Sequence, residues 1–136
     1  MMNKDEIIKK VKELNLPENS YVVFGSAPMA IAGLRESGDI DMMATSGVCE
    51  SLEGKGWQRV SKGNKDTPLT RDVFEVHKNW EFSSYSPTLG ELLKTAIVVD
   101  GVPFASLEEV RKWKSAWGRP KDIKDIELID GYLARR

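Results

Sequence analysis

The chain is poor in the residues that build most soft-metal and redox centres, with one cysteine and one histidine among 136 residues. A lone Cys49 excludes an intrachain disulfide and any multi-cysteine zinc site, and a lone His77 excludes a multi-histidine metal site. A structural or surface role is expected for His77, and no chemistry for Cys49. Charge of one sign is also lacking: 20 lysines and arginines against 21 acids leave a net charge of −1. That gives no overall pull toward nucleic acid, so long polynucleotide is a disfavoured substrate, although a local basic patch stays open. No apolar stretch approaches the ~20 residues that cross a bilayer. The opening MMNKDEIIKK has no apolar core of the signal-peptide kind. A cytoplasmic protein with no membrane partner is expected. Repeats, low-complexity tracts and linkers are missing too, so a single domain over residues 1–136 is expected.

What is present is a regular alternation of helix and strand signals. Asn3, with Glu6 three residues on and Ile7, Ile8, Val11 and Leu14 at helical spacing, predicts an amphipathic helix over 3–15, ending before Pro17. Tyr21–Phe24 reads as a strand, residues 28–34 as a short helix with Pro28 in its first turn, and residues 39–44 as a second strand. A helix is expected within 46–56, then strands at 57–61 and 72–77 joined by a polar turn over 62–66; residues 80–84 either extend that sheet or leave it. Residues 88–94 read as helix. Residues 96–100 and 102–105 flank Asp100-Gly101, a strong hairpin turn that implies a meandering antiparallel edge. Ser106 and Glu109 form a capping box for a helix with Leu107, Val110, Trp113 and Trp117 in one stripe, stopped by Gly118. The last helix starts near Pro120 and turns Ile123, Ile126, Ile129 and Leu133 inward. The fold class is α/β (α+β), a mixed sheet flanked by helices.

The chemistry concentrates between Tyr21 and Thr45. On a strand Asp39 and Asp41 project from one face while Ile40 faces the core. Two carboxylates so placed repel each other unless they are solvated or neutralised by a divalent cation. Mg2+ is the natural candidate, with Mn2+ as its substitute, because it takes oxygen ligands and combines one or two carboxylates with water and substrate phosphates. The plain alternative is an exposed strand end with two solvated acids. Gly25-Ser26 shifts the balance, lying between an apolar strand and a helix. Glycine there permits close backbone approach, the serine hydroxyl can donate to a phosphate oxygen, and a helix start supplies free N–H groups. Together these features point to metal-dependent phosphoryl or nucleotidyl transfer.

An apolar strand, Gly25-Ser26, twelve residues and then Asp39-Ile40-Asp41-Met42 resembles the signature of the DNA polymerase beta-like nucleotidyltransferase superfamily. The stretch DGVPFASLEEVRKWKSAWGRPKDIKDIELI is similar to the tail of its small bacterial and archaeal members, where a hairpin and a lysine-containing helix precede a GRPKD-type segment. The resemblance implies that Gly25 and Ser26 hold the terminal phosphates of a nucleoside triphosphate and that Asp39 and Asp41 bind the metals. The superfamily usually adds a third acid from a neighbouring strand. Glu75, in DVFEVH, is preferred for that catalytic and metal-binding role, and Glu81, in NWEFSS, is the alternative.

Arg35, between the turn and the acids, either reaches phosphate or is a solvated helix-end charge. Lys114, Arg119 and Lys121 fall where the resemblance puts the cleft, so Lys114 and Arg119 are nucleotide-binding candidates and Lys121 a helix-end charge. Asp122 and Asp125 fit as helix-start charges. The tryptophans are expected to pack the core or its edges, with one possible base platform among them. The resemblance implies transfer of a nucleoside monophosphate to a hydroxyl acceptor on a small molecule, a protein or an RNA end. The sequence has no long helical stretch of the kind that forms an added substrate domain, and a partner protein or a homodimer could supply the missing wall. The alternative is a non-catalytic nucleotide-binding or protein-interaction module that keeps the fold.

Overall fold

In the computed structural model, which describes residues 1–61, 67–81 and 84–135, the strands form one mixed sheet in the order β3-β4-β5-β2-β1-β7-β6. They are β1 (Tyr21–Phe24), β2 (Ile40–Ala44), β3 (Gln58–Arg59), β4 (Leu69–Arg71), β5 (Phe74–His77), β6 (Ile97–Val99) and β7 (Val102–Phe104). The helices are α1 (Lys4–Glu13), α2 (Ala27–Ile31), α3 (Ser46–Gly54), α4 (Leu89–Lys94), α5 (Leu107–Trp117) and α6 (Pro120–Ala134). Central β1 runs antiparallel to β2 and parallel to β7, while β2 runs parallel to β5. All four residues of β1 are buried because the sheet has a core on each face. Val23, Ile40, Met42 and Val76 face one layer with Ile7, Val11 and Leu52. Val22, Phe24 and Met43 face the other with Trp80, Leu92, Val110, Trp113 and Ile129. The period-2 alternation of strand side chains thus divides the same short strands between two cores.

Local signals act where they are expected. Asn3 accepts from the Glu6 N–H while the Glu6 carboxylate accepts from the Asn3 N–H, and Thr88 and Glu91 cap α4 in the same way. Asp100 and Gly101 take φ of 52° and 79°, the geometry that closes the β6–β7 hairpin. Gly118, at φ 70°, ends α5. Trp57, Trp80 and Trp113 are buried in the cores; Trp80 stacks on Phe24 at 4.8 Å between ring centroids. His77 is buried, and burial pushes the Cys49 thiol pKa up, so that thiol is not activated.

Several expectations are corrected. An additional strand, β4, lies between β3 and β5 and pairs with both, so residues 57–61 and 72–77 are not direct partners. The turn expected over 62–66 lies outside the described residues, as do 82–83 of the 80–84 segment. Helix α2 is shorter than expected. Ser106 caps α5, but Glu109 accepts instead from the Tyr85 hydroxyl at 2.6 Å and from Lys112 at 3.2 Å. Trp117 is 43% exposed and leaves the stripe. Helix α6 is turned so that Asp122, Asp125 and Ile129 face inward and Ile123 faces solvent.

Candidate active site

The register of three adjacent strands builds the site. Phe24, the last residue of β1, sits opposite Asp41 of β2, and Asp41 sits opposite Glu75 of β5. Ile40 and Met42 anchor β2 in one core, so Asp41 is turned to the other face; Phe74 and Val76 do the same for Glu75. Asp39 lies just before β2, where its carbonyl accepts from the Ser37 hydroxyl at 2.8 Å. Ser37 is fully buried and its backbone pairs with Met2, so the N-terminus braces the approach to the acids. Neither residue was a sequence candidate, because a serine in a loop has no local mark of its long-range partner.

Asp39, Asp41 and Glu75 each offer a carboxylate oxygen, and these atoms lie within 4.8 Å of one another. Asp39 is exposed; Asp41 and Glu75 are half-buried. Glu81 is exposed and outside this group. An all-carboxylate donor set matches an oxygen-seeking divalent ion such as Mg2+ or Mn2+, and the three residues together could hold one.

The Gly25-Ser26 turn lies directly against this group. Gly25 has φ +69°, and a Cβ added there would stand 2.9 Å from the Asp41 Cβ and 3.0 Å from its Cγ. Glycine is therefore needed twice, for the left-handed backbone and for the space. Ser26 precedes α2, but its side chain makes no hydrogen bond to that helix. With only five residues in α2, the helix start offers less than a longer helix would.

On the other side of Ser26 stands a buried ionic cluster. The Lys114 ammonium, 2% exposed, donates to the Ser26 hydroxyl oxygen at 3.3 Å and lies 2.9 Å from Asp125 and 3.6 Å from Asp122. Arg35 pairs with Asp125 at 2.8 Å. Arg119 bonds Asp122 at 2.7 Å and stacks on Trp117, with its Cζ 3.1 Å from the ring centroid. Burial works against the Asp122 charge, but the Arg119 hydrogen bonds, from side chain and backbone, and the Arg119 and Lys114 charges prevail and hold its pKa below the usual carboxylate value. Lys121 is exposed. Asp122 and Asp125 are thus more than helix-start charges, since they also bind Lys114 of α5 and the distant Arg35.

No protein-family model matches the chain, and no curated protein matches it. Two solved structures share its fold. A nucleotidyltransferase candidate of Thermotoga maritima aligns over 99% of this chain and 97% of its own, with TM-score 0.60 and 19% identity. The structure of ANT(2")-Ia in complex with adenylyl-2"-tobramycin aligns over 93% of this chain and 85% of its own, with TM-score 0.54 and 16% identity. The fold is nucleotidyltransferase-like, an α+β architecture with a mixed sheet. Among the described residues no helix is long and apolar enough to cross a membrane.

Proposed function

We propose that this chain, acting as one domain, transfers a nucleoside monophosphate from a nucleoside triphosphate to a hydroxyl acceptor, with Asp39, Asp41 and Glu75 holding Mg2+ or Mn2+. The convergence of three carboxylates beside the Gly25-Ser26 turn carries the reading, and the nucleotidyltransferase-like fold supports it. Gly25 lets the phosphates approach the backbone, and the Ser26 hydroxyl donates to a terminal phosphate oxygen. The acceptor oxygen attacks the α-phosphorus, its bond to pyrophosphate breaks, and Glu75 takes the hydroxyl proton. When bound, a divalent ion supplies neutralisation of the phosphate charge. Lys114, Arg35 and Arg119 provide the positive side of the site. The acceptor is a hydroxyl of a small molecule, a protein or an RNA end; the adenylyl-2"-tobramycin held by ANT(2")-Ia supports the first of these. A partner protein or a second copy would complete the acceptor wall, and the cytoplasm is the expected setting.

Calorimetry with nucleoside triphosphate and Mg2+, beside a pyrophosphate-release assay, tests the proposal. Binding by the unaltered chain should require Mg2+. Asp39→Asn and Asp41→Asn should each remove the metal-dependent component while leaving the fold intact, which a cooperative melt checks. Undiminished Mg2+-dependent binding in both variants would sink the metal assignment, and binding without pyrophosphate release across the acceptor classes would favour the non-catalytic module.

A further inference from the structure

A serine before a helix ordinarily accepts from that helix's free N–H groups, with its own backbone extended. Ser26 does neither: its backbone is in the right-handed helical region and it makes no capping bond. Its oxygen accepts from Lys114, 88 residues away in sequence. An ammonium has three N–H donors, and Lys114 is enclosed by three oxygen-bearing groups, Ser26, Asp125 and Asp122. At 2% exposure the ammonium is shielded from solvent, with Asp125 at 2.9 Å, Ser26 at 3.3 Å and Asp122 at 3.6 Å around it. A charge so buried persists only when it is matched. Here each matching carboxylate is anchored by a further cation, Arg35 on Asp125 and Arg119 on Asp122. Among the described residues, these pairs set three cations against two anions on the side of Ser26 away from Asp39, Asp41 and Glu75. A hydroxyl has one proton and two lone pairs; with Lys114 donating to the oxygen, the proton remains to be given, and polarisation by the ammonium makes it a stronger donor.

We propose that Lys114 is a positioning residue that acts through Ser26: it fixes the hydroxyl so that its proton is presented to a triphosphate oxygen, and the braced Asp122–Asp125 pair holds the ammonium in place. The role rests on the nucleotidyl-transfer reading and differs from direct contact between Lys114 and phosphate. A lysine touching phosphate itself would contribute independently of Ser26, whereas one acting through Ser26 contributes nothing once the hydroxyl is gone.

A double-mutant cycle separates the two. The tightest of the common nucleoside triphosphates is titrated by calorimetry, with Mg2+, into the unaltered chain, Ser26→Ala, Lys114→Met and the double variant, each checked for melting. Each single change is expected to weaken binding by about fivefold, the scale of one hydrogen bond. Adding Lys114→Met to Ser26→Ala should cost less than about twofold more. If Lys114→Met does not fold, Asp125→Asn takes its place, with a loss of about threefold alone and none on top of Ser26→Ala. Losses that multiply overturn the positioning role alone, because they assign Lys114 either a direct phosphate contact or general support of the fold. Failure of the unaltered chain to bind any of these triphosphates overturns the nucleotidyl-transfer reading, and the positioning role falls with it.

Discussion

Replacing Gly25 by alanine should damage the protein by two separable routes. The first is conformational: at φ +69° a residue with a Cβ is strained by about 1–2 kcal/mol. The second is steric, since the new methyl would meet the Asp41 Cβ at 2.9 Å and Cγ at 3.0 Å, where relaxed carbon contacts lie at about 3.5–4.0 Å. Relief requires either an off-rotamer Asp41, at about 0.5–1.5 kcal/mol, or a backbone shift between β1 and β2 of the overpacking kind, at about 1–3 kcal/mol. The expected total is about 2–4 kcal/mol. Because the relieving movement displaces a metal-binding candidate, Mg2+-dependent triphosphate binding should go as well. Urea unfolding of the unaltered chain, Gly25→Ala, Asp41→Ala and the double variant apportions the terms. Asp41→Ala removes Cγ and the carboxylate but keeps Cβ, so about 1 kcal/mol of the Gly25→Ala cost should disappear in that background and the rest persist. A Gly25→Ala cost below about 1 kcal/mol, or additivity within about 0.5 kcal/mol, would refute the crowding.

Two further outcomes are expected. Glu75→Gln should abolish pyrophosphate release while nucleotide still binds, and Glu81→Gln should change little; the reverse pattern would transfer the third-acid role to Glu81. Because the folded-state pKa of Asp122 is depressed, its charged form stabilises the fold above the unfolded carboxylate pKa, and that contribution is lost as pH falls through the lower folded value. The stability advantage of the unaltered chain over Asp122→Asn should therefore shrink below about pH 4; urea titrations that keep the gap constant down to pH 2.5 would contradict it.

The sites read most easily in sequence are those written locally. Asp39 and Asp41 are two residues apart, Gly25-Ser26 interrupts an apolar run, and Glu75 stands between the buried Phe74 and Val76, so strand alternation alone turns it to the face of Asp41. Strand β4 has little local signal because it is three residues long, follows Pro68, and reaches β5 through a turn in which Asp72 takes φ 54° without a glycine to mark it. The face of α6 is hidden in the sequence for a different reason. Ile123 and Ile126 carry the helical period, but Asp122 and Asp125 are drawn inward by Arg35 and Lys114, which no window along the helix contains. The same distance hid the link between Lys114 and Ser26. Tyr85 likewise took Glu109 from the expected capping box.

The neighbours of β1 come from separate parts of the chain: β2 follows it closely, whereas β7 arrives only after β3 to β6 and α3 to α4 as well. During synthesis, β1 therefore waits with one side open, and a nascent chain can possess all three carboxylates before it possesses either β7 or Lys114. Closing so long a loop opposes the final step entropically and slows it. Until then the exposed hydrogen-bonding groups of β1 can pair with another nascent chain. The arrival of β7 and α5 thus covers the open side of β1 and brings Lys114 to Ser26 in the same event.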